Sequence, residues 1–180
     1  DYAFQQHIQK SLNIQNGRSI TLWPHGILFR DAEEKMRRRM IEDDQIECII
    51  GLGPNLFYNS PMESCLLITK INKVKKNKGK ILIINAIKEV EQEKNTSFLS
   101  EKNINKIFST YTNFKETEKF SKIVTIDEVL KNKGSLNIAQ YVSNIESNVL
   151  HKSINKAFTD WKKQSEKLKL SMSKLFKNLE

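Results

Sequence analysis

Three uninterrupted apolar runs constrain the fold of this chain more than any other feature of its sequence. They are IECIIGL at residues 46–52, SCLLITKI at 64–71 and KILIINA at 80–86. Each run has the length of one strand and is bounded by polar or glycine-containing segments. A fourth run of the same kind, SITLW at 19–23, ends at Pro24. The chain is therefore predicted to fold around a sheet of buried strands.

Helical patterns separate and follow these strands. Residues 1–12 place Ala3, Phe4, Ile8 and Leu12 at helical spacing, which predicts a helix that buries these side chains. Residues 31–44 predict a second helix, and the pattern after residue 86 is helical and polar. This order predicts an α/β fold. Its first two strands, which a helix connects, are expected to be parallel, and its later strands to run antiparallel.

The chain carries 30 Lys and Arg against 21 Asp and Glu, which gives a formal net charge of +9. A basic excess of this size favours polyanionic partners, nucleic acid first and a membrane surface second. The net charge alone does not show whether the basic excess serves a function, because many proteins from AT-rich genomes are rich in Lys and Asn whatever they do.

The two cysteines, Cys48 and Cys65, both lie inside apolar runs. They are interpreted as buried, reduced thiols of a cytoplasmic protein. The sequence has no Cys-x-x-Cys pair and no Cys/His cluster, so no metal site is predicted. It has no run of 18 apolar residues and no signal peptide, so no membrane association is predicted. The first residue is Asp1 and not Met, which suggests a piece of a longer protein.

The loop that begins at Gly51-Leu52-Gly53 superficially matches a nucleotide-binding turn. Such a turn needs further glycine and a helix that begins directly after it, whereas Pro54 and a second turn follow here. The later Asn59-Ser60-Pro61-Met62 lacks the second proline and the final aromatic residue of the Asn-Pro-Pro-aromatic tetrad of amino-methyltransferases. No catalytic and no cofactor-binding residue is therefore assigned within this chain.

The three histidines do not form a recognisable catalytic group. His7, His25 and His151 are far apart, and none has an obvious acidic or cysteine partner. His25 follows a predicted strand and is either a functional residue or a turn histidine.

The last 35 or so residues carry a heptad pattern that no Gly or Pro interrupts. The pattern predicts a long helix from about residue 145 to 179 with one polar seam position, Ser165, and a Lys-rich outer face. Because a small α/β domain cannot cover so long a seam, its apolar residues are predicted to dock a partner: Ile154, Phe158, Trp161, Leu168, Met172, Leu175 and Leu179.

An ordered set of motifs resembles the C-terminal half of the methyltransferase (modification) subunit of type I restriction–modification systems, an N6-adenine DNA methyltransferase family. The resemblance covers roughly residues 1–142. The matching motifs are Gly17-Arg18, PHGILFR at 24–30, Glu34 with Arg37, IIGLGPNLFY at 49–58, LLITK at 66–70, KILIINA at 80–86 and SLNIAQYV at 135–142.

The resemblance implies the Rossmann-like sheet of S-adenosylmethionine-dependent methyltransferases, seven-stranded with its last strand antiparallel. Residues 19–23, 46–51 and 64–71 match the fifth, sixth and seventh strands. The cofactor loop and the catalytic tetrad belong to the first four strands, which this chain does not contain. The resemblance therefore implies that the complete protein uses S-adenosylmethionine. This chain alone is expected to bind none and to be inactive.

The resemblance also implies roles for individual residues. Phe57, with Tyr58 as the alternative and Asn55 beside them, matches the loop that packs against the target base. The other interpretation of Phe57 is a plug of the core beneath the loop. Lysines of the turn between SCLLITKI and KILIINA are candidates for DNA-phosphate contacts, or else line a solvated turn; they are Lys73, Lys75, Lys76 and Lys78.

The resulting hypothesis has three segments: residues 1–95 as the C-terminal half of the methyltransferase α/β domain, 96–142 as a helical extension, and 143–180 as the docking helix. Predicted partners are DNA, the specificity subunit and, as a further candidate, the restriction subunit. Two alternatives remain, a non-catalytic module that interacts through its helix and a general nucleic-acid-binding domain. In isolation the helix is expected to self-associate or to fold across the sheet edge.

Overall fold

Seven strands and six helices make up the part of the chain that the computed structural model describes, which is residues 1–58, 60–94, 96–142 and 154–177. The strands are β1 (Arg18–Pro24), β2 (Ile46–Leu52), β3 (Ser64–Lys70), β4 (Lys80–Ala86), β5 (Glu91–Glu93), β6 (Thr96–Phe98) and β7 (Ser121–Thr125). The helices are α1 (Tyr2–Ser11), α2 (Glu34–Glu42), α3 (Glu101–Asn113), α4 (Ile126–Lys131), α5 (Ile138–Tyr141) and α6 (Ile154–Lys177).

Five of the strands form one mixed sheet in the order β1-β3-β2-β4-β7, and β5 and β6 form a separate hairpin. β3 runs antiparallel to both of its neighbours, β1 and β2, whereas β2 and β4 are parallel. The α/β class is thus confirmed, and the strand matched to the seventh of the family is antiparallel as the resemblance implies.

The pairing of the strands differs from the sequence prediction in one respect. β1 and β2 do run in the same direction, but β3 lies between them, so the two strands that helix α2 connects are not hydrogen-bonded neighbours. β4 likewise pairs with β2 and not with β3, its predecessor along the chain. Each of these pairings follows from β3 occupying the position between β1 and β2.

Segment 96–142, predicted as a helical extension, contributes strand β7, which pairs antiparallel with β4. The sequence analysis missed this strand because Ser121–Thr125 contains only two large apolar residues, Ile123 and Val124, and directly precedes a helix. How the chain divides into independently folding domains stays a prediction.

Two apolar clusters pack on opposite faces of the sheet. The larger cluster includes residues of α1, α2, α4 and α5, and the smaller one lies under α3. β2 is buried along its whole length because it lies between two strands and both clusters, which explains its uninterrupted apolar run. Both cysteines are free and buried as predicted, and burial raises the pKa of Cys65 to about 12.

Helix α1 buries a different face from the predicted one. Phe4 is 71% exposed, and Tyr2 and Gln5 are buried instead. The Gln5 Oε1 atom accepts hydrogen bonds from Thr21 Oγ1 and Trp23 Nε1 of β1, both at 2.9 Å. These polar contacts set the rotation of α1, so the apolar spacing alone gave the wrong face.

Arg37 on α2 ties three segments together from inside the protein. Its side chain is fully buried, and its guanidinium donates to the carbonyl oxygens of Gly134, Ile27 and Arg30 at 2.8, 3.3 and 3.0 Å. Charge-assisted bonds of this kind offset part of the cost of burying the cation. They join α2 to the turn after β1 and to the segment before α5.

The chain divides into two compact units, Asp1–Asn144 and Ile145–Glu180. The predicted long helix is confirmed in the second unit over Ile154–Lys177, which is α6. The rest of the predicted helix, residues 145–153 and Leu179, lies outside the described residues. Among the helices of the described ranges, none has the length and apolarity that crossing a membrane requires.

Candidate functional site

Three connections meet at one edge of the sheet. Pro24 is paired with Ser64, Ser64 with Leu52, and Leu52 with Ala86, so these four residues form a row across four strands. The row marks the carboxyl ends of β1, β2 and β4, and it is called the carboxyl edge below. In open α/β sheets this edge is where ligands bind, because the connecting loops leave a crevice there.

Gly51 of β2 and Gly53, just after the strand, are needed for close packing. A Cβ atom on Gly51 would lie 2.6 Å from Ile138 Cδ1 of α5, and one on Gly53 would lie 2.5 Å from the Ile87 carbonyl oxygen. Both values are shorter than real Cβ contacts. The glycines therefore let the loop lie against the segment after β4, and the space that a bound phosphate would need is filled by protein. The turn therefore does not fit the phosphate of a nucleotide.

The loop after β2, residues 53–63, is held by backbone contacts. Asn55 has a left-handed conformation with φ of 58°, and its carbonyl oxygen accepts a 2.8 Å bond from the Ser97 N–H of β6. A tight turn follows, in which the Ser60 N–H donates to the Phe57 carbonyl oxygen at 3.1 Å. The loop is thus fixed to the β5–β6 hairpin, which follows β4 at the same edge.

The two aromatic residues of this loop lie at the surface. Phe57 is 37% exposed and Tyr58 is 95% exposed. The residue that packs against the apolar cluster beneath the loop is Leu56. The geometry therefore favours a surface role for Phe57 over a core plug, and its contact with a target base stays a prediction.

A cavity of about 570 Å³ lies between this loop and the hairpin. It has the size of an ordinary small-molecule site. Aromatic and polar side chains both line it, and Asn55, Phe57 and Tyr58 are all among them. The lining residues are Asn55, Leu56, Phe57, Tyr58, Ser60, Pro61, Thr96 and Ser97.

The hairpin side of this cavity was not predicted from the sequence. β5 and β6 read EQE and TSF, and they lack both the apolar alternation and the turn dipeptide that identify a hairpin. The only available signal was the Ser and Thr content of residues 96–97, which is too common to point to a site.

His25 lies in a short 3-10 turn directly after β1. Its Nδ1 atom is 3.3 Å from Glu63 Oε2, and its backbone N–H donates to the Glu63 carbonyl oxygen at 3.4 Å. Burial lowers the pKa of His25 from its ordinary value, and the Glu63 carboxylate opposes that shift. The histidine thus joins the turn after β1 to the residue that precedes β3.

The lysine turn, residues 71–80, lies at the opposite edge of the sheet from the cavity. β3 ends and β4 begins there, and a seven-residue strand spans about 20 Å. Lys75, Lys76 and Lys78 are exposed. They therefore lie about one strand length away from the carboxyl edge and its cavity.

Lys73 differs from the other lysines of this turn, and its predicted contact with DNA phosphate is corrected here. Its side chain is buried, and its ammonium donates to Asp44 Oδ1 at 2.6 Å and to the Lys80 carbonyl oxygen at 2.8 Å. Asp44 also accepts from the Gly79 N–H at 2.9 Å. Lys73 thus closes the turn from inside, where its buried side chain is out of reach of a phosphate.

The heptad seam of α6 is exposed where its side chains are described. Phe158, Trp161 and Leu168 are more than 60% exposed and Met172 is 48% exposed. The rings of Phe158 and Trp161 pack on each other with centroids 5.8 Å apart. Ile154 and Leu175 belong to the same helix. Within the described ranges, no group of three or more His, Cys, Asp and Glu side chains is placed to hold a metal.

Comparison with known proteins places this geometry in a family. A family model described as N-6 DNA Methylase matches residues 1–149. The MjaVIII methylase subunit of a type I restriction enzyme from Methanocaldococcus jannaschii is 43% identical over 125 residues, which are 67% of this chain and 22% of the relative. The MpnII methylase subunit from Mycoplasma pneumoniae is 31% identical over 144 residues, which are 79% of this chain and 26% of the relative.

Solved structures agree with these relatives. The methyltransferase subunit of a type I restriction–modification system from Streptococcus thermophilus superimposes with a TM-score of 0.74 at 32% identity, over 79% of this chain and 30% of that one. A chain from a structural study of type I complex assembly gives a TM-score of 0.61 over 98% of this chain and 39% of that one. At 18% identity the second likeness shows the fold alone. The present chain spans about a quarter of the length of the relatives described above.

The packing at Gly53 generates a stability prediction. Gly53→Ala is expected to lower the free energy of unfolding by about 1–3 kcal/mol, because its Cβ would collide with the Ile87 backbone and with Val90. The measurement is urea denaturation of this chain. The control is Gly79→Asn, where φ is +69° and nothing lies within 4 Å, so that its cost is expected to be below about 1 kcal/mol. Equal losses for both variants would contradict the packing role.

Proposed function

This chain belongs to the N-6 DNA methylase family, and we propose that it is the part of a type I restriction–modification methylase subunit that receives the target adenine. The whole subunit would transfer a methyl group from S-adenosylmethionine to N6 of adenine in DNA. The observation that carries this proposal is the cavity at the carboxyl edge with Phe57 and Tyr58 at its rim.

The cofactor and the catalytic tetrad are proposed to lie in the remainder of the subunit. The Gly51-Leu52-Gly53 turn offers no room for a cofactor, because Ile138 and the Ile87 carbonyl oxygen fill the space beside the two glycines. When bound in the remainder, the cofactor supplies the methyl group. The chain considered alone is therefore proposed to be inactive.

Two features of the sheet suit attachment to that remainder. Within the described residues, β1 has a hydrogen-bonded neighbour on one side only, so its other edge is open to a further strand. On the α3 face, Ile20 and Leu22 of β1 are 56% and 46% exposed beside an apolar groove of about 280 Å³. We propose that the remainder of the subunit covers this edge and this groove, since relatives are about four times longer than the matched segment.

The role of the aromatic loop follows from the chemistry of the substrate. An enzyme that acts on a base in duplex DNA must take that base out of the stack. An aromatic face that replaces the lost stacking is worth roughly 1–3 kcal/mol per base. Phe57 offers such a face at the rim of a cavity large enough for a base, and Tyr58 is the alternative. Correct placement of the adenine amino group matters because this group is a weak nucleophile.

Phe57→Ala in the complete enzyme tests this role. Methylation is expected to fall more on a normal duplex than on a duplex with a mismatched target adenine, because the mismatch already lowers the cost of extrusion. The measurement is kcat/KM on both duplexes. Phe98→Ala is the control, since Phe98 is similarly exposed at 43% but does not line the cavity. Equal losses on both duplexes together with a lowered melting temperature would support the core-plug interpretation instead.

The exposed lysines of the turn are proposed to contact phosphates away from the target base. Lys75, Lys76 and Lys78 lie next to each other around a short 3-10 turn that the Lys73–Asp44 ion pair closes from inside. A fixed cluster of three exposed cations favours a polyanion over most other partners. A solvated turn with no partner is the alternative.

Neutralising Lys75, Lys76 and Lys78 to Gln in the assembled enzyme is expected to weaken binding to all DNA sequences alike. Each lost phosphate contact should reduce the slope of log K against log salt concentration by roughly 0.9. The matched control neutralises three exposed lysines on and after α3, namely Lys102, Lys115 and Lys119. Identical salt slopes for the two triple variants would rule out a specific contact by the turn.

Helix α6 is proposed to dock against helices of the specificity subunit. The exposed aromatic and aliphatic side chains of its seam support the presence of a partner. The same seam is also consistent with the alternative function, a protein-interaction module without catalysis. Burying each large side chain stabilises a complex by roughly 1.5–3 kcal/mol before ordering costs. The restriction subunit and a second copy of this chain are the other candidate partners.

The double variant Trp161→Glu with Leu168→Glu is expected to weaken assembly with the specificity subunit by roughly 100-fold, because two buried apolar contacts are replaced by charges. Analytical ultracentrifugation gives the affinity. The matched control makes the same change of net charge on the opposite face of the helix, through Lys163→Gln with Leu170→Glu, and it should assemble normally. Unchanged affinity of the Trp161→Glu, Leu168→Glu variant would show that the seam does not bind the specificity subunit.

A further inference from the structure

The apolar seam of α6 is bordered on its two sides by side chains of different chemistry. Lys162 and Lys169 lie along one side and are called the lysine flank below, whereas Gln164 and Ser171 lie along the other side. These are the heptad positions next to the seam, because a helix turns by about 100° per residue. All four side chains are exposed. The border of the apolar surface is therefore positively charged on one side and uncharged on the other.

The lysine flank is not neutralised by the acidic residues described in its own helix. Asp160 and Glu166 are the acidic residues of α6, and both lie toward the outer half of the helix, away from the seam. Glu166 is within one turn of Lys162 and Lys169. Among the side chains described for residues 158–173, however, no ion pair joins Glu166 to either lysine. Both ammonium groups are thus available to a charged partner.

The charges beside a seam decide which helix can pack on it. In a parallel pair of helices each flank faces the opposite flank of the partner, and in an antiparallel pair it faces the same flank. Two parallel copies of α6 would place the lysine flank against Gln164 and Ser171, which offers no ion pair. Two antiparallel copies would place the lysine flank against itself, and like charges that face each other weaken a contact. A second copy of this helix is therefore a poor occupant of the seam.

We propose that the seam of α6 accepts a helix of the specificity subunit that carries Asp or Glu residues one heptad apart, facing Lys162 and Lys169. This inference rests on the proposed function, since it specifies the helix that the specificity subunit contributes. Apolar side chains of that helix cover the exposed Trp161 and Leu168. Its carboxylates pair with the two lysines at the solvated border of the contact, where charges select the partner and its orientation more than they add affinity.

The lysine flank has two other interpretations, a solvated face and a contact with DNA phosphates. The outer face of α6 allows these interpretations to be separated from the proposal, because it carries Lys163 and Lys167, which are exposed as well. A solvated face or a general attraction to DNA would involve these lysines as much as the lysine flank. An acidic helix packed on the seam would involve the lysine flank alone.

The test compares two double variants of the complete methylase subunit, each mixed with the specificity subunit. Lys162→Gln with Lys169→Gln neutralises the lysine flank, and Lys163→Gln with Lys167→Gln makes the same change of net charge on the outer face. Analytical ultracentrifugation measures the affinity of assembly at about 0.1 M and about 1 M salt, where the Debye length is about 10 Å and about 3 Å. A titration with duplex DNA measures the DNA affinity of each assembled complex.

The flank variant is expected to assemble roughly three- to tenfold more weakly than the unaltered subunit at the lower salt concentration, because two border ion pairs are lost. At the higher salt concentration this difference should nearly vanish, since salt screens exposed charges. The outer-face variant should assemble like the unaltered subunit at both salt concentrations. The two assembled variants should bind DNA with equal affinity.

Equal affinities of the two double variants for the specificity subunit at the lower salt concentration would overturn the inference. Normal assembly of the flank variant together with weaker DNA binding would overturn it as well, and would assign the lysines to phosphate contacts. If the unaltered methylase subunit does not bind the specificity subunit, the proposed docking function itself is wrong. If assembly depends on Trp161 and Leu168 but not on the lysine flank, the proposed function stands and only this inference fails.

Discussion

The insertion of β3 between β1 and β2 is the constraint on which the rest of this structure depends. β3 runs antiparallel to both neighbours, so the chain must reverse direction between Leu52 and Ser64 at the carboxyl edge. That reversal produces the loop with Asn55, Phe57 and Tyr58. The parallel pairing of β2 with β4 then brings the segment after β4 to the same edge, where the hairpin closes the cavity. The position of the candidate site is therefore a consequence of strand order.

The close approach of these two connections depends on small residues. Gly53 lies where any side chain would meet the backbone at Ile87, and Gly51 lies against Ile138 of α5. A motif that resembles a phosphate-binding turn thus has a packing explanation here. The same Gly-x-Gly pattern arises wherever two backbones must approach closely, so the pattern gains meaning only from what lies next to it.

The positive charges of this chain serve different purposes, although they look alike in the composition. Arg37 is buried and binds three carbonyl oxygens, and Lys73 is buried against Asp44. Both hold loops of the fold in place. Lys75, Lys76 and Lys78 remain in solvent, on the edge of the sheet away from the cavity. A net charge of +9 therefore overstates the charge that is free to meet a polyanion at any one surface.

The α/β class, the four long strands, the buried cysteines and helix α6 could all be predicted from the amino-acid sequence. Apolar runs and heptads encode burial directly, since each large apolar side chain must leave water. The strand order, the buried face of α1, the partner of Lys73 and the hairpin with Ser97 became known only from the folded structure. These features depend on contacts between residues far apart in the chain, such as Gln5 with Trp23, Asp44 with Lys73 and Asn55 with Ser97. The periodicity of apolar residues within one helix or strand does not predict such pairs. Polar contacts of this kind depend on which residues of different elements the fold brings together.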